Sequence, residues 1–211
     1  MSTEPRTSRG RATRERIVQA ATELVAERGV AATSLDDVRL RAHASKSQLY
    51  LYFRDRDDLL RAVSEATCNA VLDLQSDALA GFDSLAGVES YFDATVALQE
   101  ERDARGGCPI GSLAGQLVEH NEAARGALAD GFQRWEDGLR IGLQAMAARG
   151  ELRPDADPAA LATQTLAALQ GGLVLTQVRR DPAQLRVAAD AALELIRAAA
   201  TADSSGDPTS A

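Results

Sequence analysis

Aromatic residues make up only 4% of this 211-residue chain, which has two cysteines, two histidines and one tryptophan. Two cysteines, Cys68 and Cys108, are too few for the bridged framework of a small secreted domain, so a reducing, cytoplasmic setting is expected. His43 and His120 have no ligand-like spacing around them, and neither a metal nor a cofactor is expected. The chain also lacks a nucleophile motif and clustered carboxylates. The glycines of GGCPIG are not followed by the Lys-Ser/Thr ending of a phosphate loop, and this pattern predicts no enzyme. No apolar run approaches the ~18 residues that cross a bilayer, and the Arg-rich N-terminus has no hydrophobic signal core, so no membrane association is expected.

What the chain does contain is alanine and leucine, within a hydrophobic content of 45%. That mixture favours helices packed closely through small side chains, and an all-α fold is expected. The net charge of −8 is unevenly spread. Up to Arg54 there are ten Arg or Lys against six acids; after it, thirteen against twenty-five. A basic N-terminal end on an acidic protein suits a chain that meets phosphates at one end only.

The informative stretch is TSLDDVRLRAHASKSQLYLYF, residues 33–53. Ser34 with Asp37, or Thr33 with Asp36, is a capping-box pattern opening a helix through Ala42, and Ser45 with Gln48 is a second one. His43-Ala44 forms the corner between them, where a residue tolerant of positive φ is needed. On the second helix Leu49 and Phe53 face in, leaving Lys46, Ser47, Gln48, Tyr50 and Tyr52 to face out. These types suit a duplex. Lysine reaches phosphate or guanine, glutamine pairs with adenine, and tyrosines offer hydroxyls to phosphate and rings to thymine methyls. Thr33 and Ser34 could hold a phosphate at the start of the preceding helix. Arg6, Arg9, Arg11 and Arg14 make the segment 1–12 and its border a flexible basic arm, either solvated or set against DNA.

This order, a Thr-Ser-capped charged helix followed by Ser-Lys-x-x-Leu-Tyr-x-Tyr-Phe and a further helix containing Leu59-Leu60, resembles the DNA-binding domain of TetR-type transcriptional regulators over roughly Arg14 to Val63. The chain departs from the family at His43, where glycine is usual. The GGCPIGSL stretch is similar to one found in a subgroup. The resemblance implies a helix-turn-helix domain over 13–54, a connecting helix that opens a larger ligand-binding and dimerisation domain over 55–201, and a polar tail over 202–211. It further implies operator DNA, a homodimer and a small-molecule effector as partners, with Arg56 as a phosphate contact.

Helical spacing predicts a first helix from Thr13 to Arg28 and further helices from Asp55 to about Ala80, Ser84 to Glu101, Ser112 to His120, Asn121 to Gly150, 158–179 and 182–200. The resemblance assigns the last two to a four-helix bundle with a second subunit, through Leu161, Thr165, Leu169, Leu173, Leu185, Ala188, Ala192 and Leu195; an internal core is the alternative. Tyr91, Phe92, Thr95, Phe132, Trp135, Gln170 and Thr176 are candidates for lining an apolar or amphipathic effector's pocket. Cys108, beside glycines at a helix start, is either a sensing thiol or simply packed. The competing expectation for the whole chain is a helical ligand-binding or interaction protein that has lost DNA binding.

Overall fold

A computed structural model describes residues 7–201. The expectations for the first residues of the arm and for the tail at 202–211 lie outside the described residues. Among the described residues the chain forms nine helices and no strand, with one isolated bridge between Leu152 and Ala200.

Helix α1 (Ser8–Arg28) begins earlier than the apolar spacing predicts, because the Thr7 side chain accepts from Gly10 N and caps it. Five residues expected in the flexible arm are therefore helical. Ile17, Ala20, Ala21, Leu24 and Val25 form the buried stripe of α1, and Gly29 ends it at a φ of 83° that a side chain would strain. Helix α2 (Leu35–Arg41) carries the Ser34/Asp37 capping box and α3 (Lys46–Tyr52) the Ser45/Gln48 one. Each such cap typically contributes about 1 kcal/mol, a large share of what holds a two-turn helix. Between them His43 adopts a φ of 48°, the left-handed conformation the corner demands.

Helix α4 (Arg56–Ala80) starts where the Asp55 carboxylate accepts from Asp58 N and the Asp58 carboxylate accepts from Arg54 N. Helix α5 (Leu85–Glu101) is capped by Ser84. Helix α6 (Pro109–Leu117) begins three residues before the expected Ser112, since Cys108 caps it and Pro109 supplies a preset φ at its first position. Helix α7 (Glu122–Ala148) is capped by Asn121 through Ala124 N, α8 (Pro158–Arg179) by Asp157, and α9 is Ala183–Ala199.

The helices group into two compact units. The first comprises the described residues through Leu74 with Cys108–Arg134, and the second Gln75–Gly107 with the described residues from Trp135 onward. The first is centred on Ile17, Val38, Leu49, Phe53 and Val63, joined by Ile110 and Leu128. In the second, Phe82, Tyr91, Phe92 and Trp135 form an aromatic core, and α8 packs on α9. The close approach of that pair is set by Gly172, where an added Cβ would lie 2.8 Å from the Ala188 methyl.

Helix α8 corrects one expectation. It is long and apolar enough to cross a membrane by length and composition, which no stretch was expected to be. Its Leu169, Gly172, Leu173 and Thr176 are buried in the chain instead, and a core helix meets the same criterion.

Candidate nucleic-acid interface

Helix α1 packs against α2 and α3, and their buried residues fix which side of α3 is left outside. Leu49, Tyr52 and Phe53 are buried, while Lys46, Ser47, Tyr50 and Leu51 are exposed. Tyr52 therefore corrects the expectation that it faces out. At 8% exposure it shares the inward face with Leu49, because residues three and four apart lie on one side of a helix. Leu51, 58% exposed, was missed: the spacing of inward residues leaves it outside beside Ser47, and an apolar group there suits a thymine methyl.

The remaining candidates divide by what already occupies them. Gln48 Oε1 accepts from Ser45 N at 2.8 Å, so the capping box uses its carbonyl oxygen and leaves the amide nitrogen as its outward donor. Ser47 Oγ pairs with Ser45 Oγ at 2.9 Å. Thr33 is buried and donates from Oγ1 to Gly29 O, while Ser34 gives both its amide and its hydroxyl to Asp37. Neither is an open phosphate cradle, which corrects that expectation: the polar groups that cap α2 are consumed by capping. Arg56 is half-buried, and its Nη2 donates to Val30 O and, at 3.4 Å, to Thr33 O, tying the α1–α2 connection to the start of α4. Arg14 is half-buried with its guanidinium 5.3 Å from the Phe53 ring centroid, a cation–π contact that joins α1 to the end of α3. Arg9 and Arg11 are exposed on the first turns of α1.

Further ties hold the corner rigid. Arg16 Nε donates to Ala42 O at 2.9 Å, satisfying a carbonyl at the helix-turn-helix bend. Arg41 forks onto Glu27 with two 3.0 Å bonds and also pairs with Glu23. The bond from Arg41 is the main reason that the Glu27 carboxyl lies below its usual range. Asp37 is likewise lowered, by the Ser34 hydroxyl first, then the Ser34 amide, with Arg28 assisting at 2.9 Å. From the later part of the same unit, Gln116 of α6 accepts from Val30 N, and Asn121 at the start of α7 donates to Asp57 O at 3.4 Å. Chain order alone did not associate these residues with the helix-turn-helix.

Both cysteines are buried, and neither is in a disulfide. Desolvation pushes the Cys68 thiol up to about 11, partly offset by Arg134. Cys108 serves as a helix cap, its Sγ accepting from Gly111 N, which favours the packed alternative over an exposed thiol.

In the second unit the effector candidates separate. Tyr91, Phe92 and Trp135 are buried together, with Trp135 Nε1 donating to Tyr91 Oη at 2.9 Å and Tyr91 Oη donating to Gln75 Oε1 at 2.7 Å. Thr95 returns its hydroxyl to Tyr91 O. Thr176 corrects its expectation: its Oγ1 accepts from Leu185 N at the start of α9, so it belongs to the α8–α9 seam and not to the face that carries Gln170. Phe132 is half-buried and belongs to the first unit.

The bundle residues need the same revision. Leu161, Thr165, Leu169, Leu173, Leu185 and Ala192 are buried within the chain, and only Leu195 and half-buried Ala188 retain exposed surface. The apolar side chains that α8 and α9 do present are Val174, Leu175, Val178, Val187 and Leu195. Periodicity found an apolar face on each helix but could not tell the seam between α8 and α9 from the outer one.

Comparison with known proteins adds independent findings. Residues 17–63 match the family described as bacterial regulatory proteins, tetR family, and residues 84–192 match a tetracyclin repressor-like C-terminal domain. An uncharacterised HTH-type transcriptional regulator of Mycobacterium tuberculosis is 32% identical over 177 residues, covering 80% of this chain and 86% of its own. The transcriptional regulator AcuR of Cereibacter sphaeroides is 25% identical over 170 residues, 79% of this chain and 78% of its own. A solved TetR-family regulator from Cytophaga hutchinsonii superposes with a TM-score of 0.81 at 17% identity, covering 94% of this chain and all of its own. One from Chloroflexus aurantiacus gives 0.74 at 23% identity, covering 92% of this chain and 98% of its own.

Proposed function

This chain belongs to the TetR family of transcriptional regulators and is a DNA-binding regulator, and from that premise we propose that it is a cytoplasmic homodimeric repressor released from its operator by a small molecule. The observation that carries the reading is the exposed row Lys46, Ser47, Tyr50 and Leu51 on a short helix capped at its start and backed by buried Leu49, Tyr52 and Phe53. Such a helix presents a cation, hydroxyls and an apolar group to the major groove from a fixed base. Arg9 and Arg11 add exposed positive charge on α1.

Dimerisation is supported by the outward face of α8 and α9. Val178 and Val187 are 76% and 68% exposed, and Val174, Leu175 and Leu195 are exposed on the same two helices, apolar surface that a second copy would cover. A two-fold dimer places two copies of α3 on a roughly palindromic site whose half-sites recur at about 34–36 Å or a multiple. An apolar or amphipathic effector in the second unit would release DNA only to the extent that it binds the mismatched dimer geometry more tightly. An operator-bound dimer represses simply by obstructing polymerase.

Selection of bound sequences from a random duplex pool tests this reading. A palindromic winner whose affinity falls steeply with salt is the expected result. Lys46→Ala with Tyr50→Ala should abolish that affinity while leaving the fold intact. Unchanged binding by the double variant would remove α3 as the recognition helix, and no enriched sequence would favour a ligand-binding protein that has lost DNA binding.

A further inference from the structure

Gln48, the third residue of α3, is half-buried at the border between buried Tyr52 and exposed Leu51. Both halves of its capping box are formed: Gln48 N donates to Ser45 Oγ at 3.1 Å, and Ser45 N donates to Gln48 Oε1 at 2.8 Å. A backbone amide can only donate, so this bond fixes which end of the side-chain amide is the oxygen. The nitrogen is the end turned away from the cap. Among the described residues Nε2 donates to no group, and it is not one of the buried polar atoms left unpaired, so it is open to solvent.

A glutamine that pairs with adenine takes an N6 hydrogen on its amide oxygen and gives an amide hydrogen to N7. That pairing needs both amide atoms on one base edge. Here the oxygen is turned to Ser45 N, and bringing it round to a base would open one half of the box that starts α3. What Gln48 presents outward is an amide nitrogen with two hydrogens. In the major groove guanine meets that group with two neighbouring acceptors, O6 and N7. Adenine sets its own N6 hydrogens beside N7, thymine has the single acceptor O4, and cytosine shows only the hydrogens of N4.

We propose that Gln48 is a specificity-determining residue that reads guanine, donating through Nε2 while the helix holds its oxygen. The assignment rests on the reading of α3 as the recognition helix and adds the base and the atoms. It replaces the adenine pairing expected from residue type alone, because the capping box has already assigned the two ends of the amide.

The test exchanges the outward atom and keeps the cap. In Gln48→Glu one carboxylate oxygen can still accept from Ser45 N, since glutamate is a regular partner in this box, and the other faces out as an acceptor. Sequences are selected from a random duplex pool by the full chain as wild type, Gln48→Glu and Gln48→Met. The wild type is expected to require guanine in one column of each half-site. Gln48→Glu should turn that column to cytosine, whose N4 hydrogens suit an acceptor, and Gln48→Met should leave it degenerate; the other columns stay as they are. The added negative charge weakens binding to all duplexes, so the readout is the ratio of affinities for the guanine and cytosine duplexes. That ratio should favour guanine by about tenfold or more in the wild type and invert in Gln48→Glu. Replacing that guanine by 7-deazaguanine should weaken the wild type and leave Gln48→Met unaffected. If Gln48→Glu fails to fold, Gln48→Met and the 7-deazaguanine duplex carry the test. An adenine in the column that the variants alter, or columns identical in all three proteins, overturns the assignment while leaving α3 as the recognition helix. No enriched sequence for the wild type overturns both.

Discussion

The backbone amide of Val30 donates to the Oε1 atom of Gln116 at 2.9 Å, across 86 positions of sequence. The carbonyl of the same residue is held by Arg56, so Val30 is gripped on both sides immediately before α2. Gln116→Leu removes the acceptor and leaves a buried backbone donor. The expected cost is about 1–3 kcal/mol, read as a lower urea midpoint. Weaker operator binding should accompany it, because Val30 sets the entry to Ser34 and α2. Wild-type DNA affinity with only a stability loss would mean that this contact does not position the helix-turn-helix.

Lys46 is expected to act through charge. Lys46→Ala should weaken binding to all duplexes roughly uniformly and reduce the log-log salt slope by about 1, whereas Leu51→Ala should act mainly at one base position. Salt titrations of both variants on the selected duplex and on point-altered versions of it check the distinction.

The outward face of α8 and α9 makes a contrast. Val178→Glu with Val187→Glu places charge where the single chain is already open, so the expected result is a folded monomer with little operator affinity. Leu169→Glu places charge at a buried position and should unfold the protein. Sedimentation and circular dichroism separate the outcomes; a dimer surviving the double valine change would put the interface elsewhere.

Acid should loosen the start of α2. The Asp37 carboxyl is held below its ordinary range, so its stabilisation is fully present above the unfolded value, about 4, and is lost as pH falls through the lower folded value. Asp37→Asn should flatten that acid limb of the stability curve and leave the neutral-pH profile shape unchanged. Thermal unfolding across an acid pH series measures it.

The buried Cys68 thiol, pushed up to about 11, should stay protonated and slow to react at neutral pH. In a Cys108→Ser background, labelling with Ellman's reagent is expected only upon unfolding. Rapid labelling of the folded protein would mean that α4 opens around Cys68.

Much of the fold was legible because its signals are local. Ser34 with Asp37, Ser45 with Gln48, Ser84, Asn121 and Asp157 each lie within a few residues of the amide they cap, and such pairs start helices wherever the chain goes next. His43 at positive φ was readable for the same reason: the corner between two capped helices requires it. The starts of α1 and α6 differ from those expected because Thr7 and Cys108 are caps that an apolar periodicity does not register.

What the sequence by itself determined was the set of helices, the helix-turn-helix corner and the polar row on α3, because hydrogen bonds and spacings of three or four residues carry that information. Tertiary structure decided which side of each helix remains available. Tyr52 turned inward with Leu49 and Phe53, Arg56 was drawn onto Val30, Leu169 was buried, and Thr176 was consumed by the α8–α9 seam. It also brought Gln116 to Val30. These outcomes depend on which surfaces meet across tens of residues, where burial and competition for hydrogen-bond partners, rather than periodicity along one helix, assign each side chain its role.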